Sequence, residues 1–289
     1  MDVNGNRVPL GPQVTSTHTD DVSVTTQSAR SINGRMVPVE RIEEHVLRKD
    51  ASGTVVERIV QRYDDTGNPA GKRRIVVEQQ NHPGGSTVES TTYATDVNGR
   101  MSVVERATTE TQVSGTTVTA DTVVERPTIN GSFEPVEKQN VVTTKQGNNY
   151  EEASVTYRKD PTGQFQAAVR RTTEHQESGS KATDNTAEYE VGPTGRLELH
   201  SQRVVNTEKG SGGSENEQVD IFRKNVPGVV NDKGALQLIE HQIIERRSTA
   251  AGIVETLSVQ RPTVADPNKL GPPRELSETV CKGKCGDRP

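Results

Sequence analysis

Few residues in this chain are equipped for chemistry. The two cysteines, Cys281 and Cys285, stand in Cys281-Lys282-Gly283-Lys284-Cys285. Three readings fit that spacing: a small disulfide loop, a disulfide between molecules, or half of a metal site. The metal reading needs two further ligands, and no neighbouring histidine supplies one. Two intervening residues and a following histidine would mark haem attachment, and neither is present. The histidines His18, His45, His82, His175, His200 and His241 are scattered without ligand spacing, so they read as strand surface residues. Asp2-Val3-Asn4-Gly5 and Asp96-Val97-Asn98-Gly99 carry the first half of a calcium loop without the rest of its spacing. Turn formation accounts for those residue types. Asn130-Gly131-Ser132 is a formal glycosylation sequon that overlaps a turn. No phosphate loop, nucleophile elbow or paired acid and base emerges. The expectation is a protein that is not an enzyme and takes no cofactor and no metal.

What must position these residues is visible in the glycines. Gly34, Gly67, Gly99, Gly131, Gly163 and Gly195 follow one another at steps of 33, 32, 32, 32 and 32 residues, and Gly234 follows after 39. Their words include Asn33-Gly34-Arg35-Met36, Asn98-Gly99-Arg100-Met101, Thr162-Gly163-Gln164-Phe165 and Thr194-Gly195-Arg196-Leu197. Self-similarity at this period means one supersecondary unit stacked in tandem. These seven glycines are the repeat turns. A second, Gly-containing turn falls about half a period later, as in Val113-Ser114-Gly115 and Ser178-Gly179-Ser180. Each unit is then two strands joined by tight turns. The Asn-Gly words suit type I′ turns, and Pro-Thr-Gly suits a three-residue turn with a left-handed glycine.

Composition agrees with strands and argues against a thick core. The 289 residues hold 37 Val and 33 Thr against 9 Leu, the β-branched bias of sheets. Only 29% of residues are hydrophobic and 3% aromatic. Beyond the signature glycine, alternation places Met101, Val103, Glu105, Ala107 and Thr109 on one face. The word Val-Glu-Arg recurs at Val39-Glu40-Arg41, Val56-Glu57-Arg58, Val104-Glu105-Arg106 and Val124-Glu125-Arg126. It reads as a soluble strand whose opposite charges pair across strands. No sustained 3.6-residue period occurs, so essentially no helix is expected.

Tyr63-Asp64-Asp65-Thr66-Gly67-Asn68 and Tyr189-Glu190-Val191-Gly192-Pro193-Thr194-Gly195 resemble the tyrosine-aspartate repeats of the RHS family, which form coiled β-shells. Those repeats are shorter and their tyrosine is regular, whereas most units here lack it. The resemblance implies that hairpin repeats of this style can build wound sheets, and it assigns no site residues.

The fold expected is all-β: tandem hairpin repeats of about 32 residues in an extended antiparallel meander or coiled sheet of about 16 strands. The organisation read from the chain is an irregular N-terminal segment at 1–33 with candidate donor or edge strands, an array at 34–262, and a Pro-rich tail at 263–289 carrying the cysteines. A net charge of −5 argues against nucleic acid as a partner, since phosphate binding needs a concentrated basic face. No apolar run approaches the roughly 20 residues that span a bilayer. The function expected is a secreted structural protein, extracellular or at the cell surface with its leader absent from this chain. It would assemble with itself into a fibre or sheath by strand-edge pairing. The alternative is a monomeric cell-surface stalk or adhesin-type binding module.

Overall fold

The structure, a computed structural model, describes residues 13–19, 22–32, 35–96, 99–224, 235–249, 252–263 and 269–281. They form 17 strands. The first eight are β1 (Gln13–Thr19), β2 (Ser23–Ile32), β3 (Arg35–Asp50), β4 (Gly53–Tyr63), β5 (Pro69–His82), β6 (Gly85–Thr95), β7 (Met101–Ser114) and β8 (Thr117–Pro127). Then come β9 (Phe133–Gln146), β10 (Asn149–Lys159), β11 (Phe165–Ser178), β12 (Lys181–Val191), β13 (Leu197–Lys209) and β14 (Glu215–Arg223). The last three are β15 (Gln237–Thr249), β16 (Gly252–Gln260) and β17 (Arg274–Cys281). Among the described residues the sole helical turn is a 3-10 turn at Ser211–Gly213. All 17 strands belong to one sheet, with successive antiparallel pairing from β1 to β5 in one packing unit and from β9 to β17 in the other. The N-terminal segment 1–33 contributes β1 and β2, and the Pro-rich tail contributes β17.

Two turn designs alternate. One is a two-residue connection, such as Gly115-Thr116, Gly147-Asn148 and Gly179-Ser180, whose glycines have φ of 61°, 63° and 64°. A positive φ at the first central position belongs to the primed turns, whose twist matches antiparallel strands. The other design is the signature turn, a three-residue loop. At its base the N–H of Asp160 donates to the Gln164 carbonyl at 2.9 Å, and the N–H of Gly163 donates to the Asp160 carbonyl at 2.9 Å. The same two bonds recur at Asp64–Asn68, Asp96–Arg100, Thr128–Ser132 and Gly192–Arg196. This is a type I turn closed by a left-handed glycine. At Gly131 the bond to the Thr128 carbonyl makes Ile129 and Asn130 the central pair, so this Asn-Gly word does not fill the two central positions of a type I′ turn, which corrects the expectation there.

The registers carry a recurring bulge. One extra residue interrupts the odd-numbered strand at Val39, Ala70, Ala168, His200, Ile239 and Leu276. Five of these lie five residues after a glycine: Gly34, Gly163, Gly195, Gly234 and Gly271. A bulge inverts the alternation that a regular strand would keep. Ala167 pairs with Tyr157 and Val169 with Thr156, so Ala167 and Val169 face opposite sides although they are two residues apart. An uninterrupted alternation along such strands is corrected by this.

Packing divides the chain into two units. One comprises Met1–His82, Val88–Ala107 and Arg126–Ser132, and the other Pro83–Thr87, Thr108–Glu125 and Phe133–Pro289. The first buries Val37; the second buries Val205, Val219, Val254, Val259 and Ser154. Such a short roster means that stability rests on backbone ladders and cross-strand pairs repeated along the sheet.

Candidate functional site

The core of the second unit is a transverse row. Register sets Lys145 opposite Tyr150, Tyr150 opposite His175, His175 opposite Asp184, and Asp184 opposite Val205. The row continues through Val219, Gln242 and Val259. Three of the buried valines lie in it. At its polar end the rings of Tyr150 and His175 stack at 4.8 Å between centroids and 12° between planes. His175 Nδ1 lies 2.7 Å from Asp184 Oδ1. Burial raises the Tyr150 phenol above its ordinary range, and the charges of Asp184 and Glu152 push it further up. The phenol therefore stays protonated over the whole working range of a protein. A shallow depression of about 160 Å³ beside this stack is lined by Thr144, Gln146, Asn149, Glu151, Glu174 and Gln176, with Tyr150 and His175.

This trio ties three strands together through stacking and a hydrogen bond. The sequence reading left His175 among scattered surface histidines. Its partner was nonetheless implicit. A two-residue turn at Gly179-Ser180 sets every pair of positions summing to 359 opposite each other, and 175 and 184 are such a pair. His241 also pairs with an aspartate, its Nδ1 2.7 Å from Asp220 Oδ1. That pair crosses the long connection after Lys224, where no turn centre can be read from the sequence.

Glutamates of the Val-Glu-Arg words and of similar positions form ion pairs with arginines on the neighbouring strand or just beyond it, directly opposed for Glu40 with Arg62 and Glu137 with Arg158. Arg62 lies 3.3 Å from Glu40, Arg126 2.9 Å from Glu105, Arg158 2.9 Å from Glu137, and Arg261 2.7 Å from Glu240. Three of them join an odd-numbered strand to the strand after it, and Arg261 lies just past the end of β16. Further pairs, Arg58–Glu44 and Arg171–Glu188, both at 2.6 Å, extend the pattern. Two positions break it: Glu151 stands opposite Glu174 and Glu190 opposite Glu198, and among the described residues neither Glu151 nor Glu174 joins an ion pair. Gln176 Nε2 donates to Glu174 Oε1 at 2.6 Å.

At the signature turns an aspartate organises the loop. Asp160 Oδ1 accepts from Thr162 N at 2.8 Å, Thr162 Oγ1 at 2.6 Å and Gln164 N at 3.0 Å. Asp64 makes the same three bonds, to Thr66 N, Thr66 Oγ1 and Asn68 N. The hydroxyl bond from Thr162, then the backbone amides, lower the Asp160 carboxyl below its ordinary range; Thr66 and its neighbours do the same for Asp64. Gly67, Gly99, Gly131, Gly163 and Gly195 all sit in these turns with φ between 77° and 88°. Gly34 and Gly234 lie outside the described residues. So does Cys285, together with the Cys281 side chain, although the Cys281 backbone closes β17. Among the described residues, no group of three or more His, Cys, Asp or Glu is placed to hold a metal ion. No described helix is long and apolar enough to cross a membrane.

The sheet's two ends offer another kind of site. Among the described residues β1 has β2 as its strand partner and β17 has β16. Compared with known proteins, the chain matches no family model, no curated protein and no solved structure.

Proposed function

We propose that this chain is a structural, non-catalytic protein that assembles with itself through its strand edges into a fibre or sheath outside the cell. One observation supports this reading: among the described residues the first strand, β1, pairs with β2 and the last, β17, with β16. Backbone edges of this kind bind extended strands through main-chain hydrogen bonds. The ion-paired, mostly wet faces keep a long sheet soluble between such joints. The acidic balance leaves nucleic acid without a basic surface to dock on. Cys281 and Cys285 serve either as an internal loop closure or as a lock between molecules. Imaging purified protein across a concentration series tests the assembly. Fibres of uniform width support it, and dispersed particles at the highest concentration refute it.

The stalk or adhesin-type reading has its own observation. β17 carries Arg274, Glu275 and Glu278 and a bulge at Leu276, and charges and bulges are how proteins guard an edge against addition. Retention of a carbohydrate or surface ligand by immobilised, monomeric protein would favour it.

A further inference from the structure

One face of strands β9–β12, all within the second unit, carries its charge at two separate ends. Glu151 and Glu174, both exposed, stand directly opposite each other, a placement that costs stability in an isolated sheet. Arg170, also exposed, lies four residues before Glu174 on the same strand and opposite Val155. All three side chains line one trough of about 390 Å3, so they share a face. At the Arg170 end, Lys138 and Lys159 lie 4.8 and 5.8 Å from the centre of the Phe165 ring. The Arg170 guanidinium lies 5.8 Å from the centre of the Tyr189 ring. Two other charges on this face are paired within the chain: Lys159 with Glu134 at 3.7 Å and Lys181 with Glu208 at 3.6 Å.

Between the two ends runs a row of short side chains: Val142 opposite Ala153, Ala153 opposite Thr172, and Thr172 opposite Ala187. The charges are placed evenly about this row. Arg170 and Glu174 stand two residues to either side of Thr172, and Val155 and Glu151 two residues to either side of Ala153. A two-fold axis laid over the row, running across the strands between two copies of this face, exchanges the ends. It sets Arg170 of each copy over Glu174 of the other, beside Glu151. It also sets Tyr189 over Asn185, which flank Ala187 in the same way. Four strands about 4.8 Å apart, each with about ten residues of roughly 3.3 Å, present roughly 600 Å2 per copy. Two copies then bury about 1,200 Å2 in all, the lower end of specific interfaces.

We infer that this face binds the same face of a second copy, through two symmetric contacts of Arg170 with Glu174 and Glu151 across a two-fold axis over the Ala153–Thr172 row. The partner's Arg170 relieves the repulsion between Glu151 and Glu174, which the single chain leaves in place. Such a joint is isologous, because one patch supplies both the cation and its acceptors. The short side chains on the axis let the two sheets approach to about the 10 Å of packed β-layers. The contact is small and its charges are exposed, so association is weak and falls with added salt. It lies on a sheet face and does not depend on the strand-edge assembly proposed above.

Sedimentation velocity of the full-length protein over a concentration series at low salt tests this contact. The parent chain should show a monomer–dimer equilibrium that weakens in high salt. Glu174→Lys sets a lysine against the partner's Arg170 and should weaken association about tenfold or more. That variant controls for folding, because it removes the repulsion within the chain and should melt no lower than the parent. Arg170→Glu should weaken association to a similar extent. Combining the two substitutions restores opposite charges across the axis and should restore the dimer. A parent chain that stays monomeric at every concentration would overturn the inference, and so would a dimer unchanged by both single substitutions. Monomeric parent protein that binds oligolysine or calcium, with binding lost in Glu174→Lys, would also overturn it, by giving this patch a different partner. Fibres without a charge-dependent dimer would leave edge assembly standing alone, and charge-dependent dimers without fibres would leave the face contact standing alone.

Discussion

Gly163 and Gly53 show how differently two glycines constrain the chain. A methyl group added at Gly163 would meet nothing within 4 Å, so its cost is the left-handed backbone alone. Gly163→Ala should cost about 1–2 kcal/mol. A methyl at Gly53 would fall 1.8 Å from the Gln79 carbonyl oxygen. Gly53→Ala must displace β5, and chemical denaturation should show the larger loss of the two. The opposed glutamates give a gain instead. Glu174→Lys replaces a repulsion with an attraction to Glu151, and should raise stability by roughly 0.2–1 kcal/mol. A melting point below that of the parent would refute the assigned register. The turn aspartates predict acid sensitivity. Their folded pKa values are depressed, so their contribution is present above the ordinary carboxylate range near about 4. It is lost as pH falls through the lowered folded value. Asp160→Ala should flatten the fall in melting temperature below about pH 4.

The hairpin is the element at which most of the fold is legible from sequence. The signature glycines announce the turns, and the spacing between them leaves room for two strands and a second turn. The His175–Asp184 pair was equally readable once the Gly179-Ser180 turn fixed its register. The bulges were not. Ala168 and His200 have nothing in common as side chains, and what places them is their distance from the turn. Strict alternation therefore misassigns a face on one side of each bulge. β17 was hidden for a different reason: Gly271-Pro272-Pro273 reads as a tail, yet it precedes a strand just as the other signature glycines do. Because each hairpin contacts chiefly its neighbours, removing one unit should be tolerated. Deleting residues 132–163, a single 32-residue period, joins Gly131 to Gln164 and keeps the number of strands odd. Circular dichroism should retain a β spectrum and a melting transition. An unfolded product would mean that the units are not interchangeable.

At the scale of the whole molecule, the proposed assembly would run through the first and last strands. The transverse row from Tyr150 to Val259, the ion pairs and the turn aspartates all act within or between adjacent strands. The side-chain chemistry of the described residues goes into holding strands in register. In the proposed assembly, the first and last strands supply the joints. Negative-stain electron microscopy of the purified full-length chain over a rising concentration series tests this most directly. Unbranched fibres of constant width that appear as concentration rises are the predicted result. Single particles that remain separate at every concentration would contradict it.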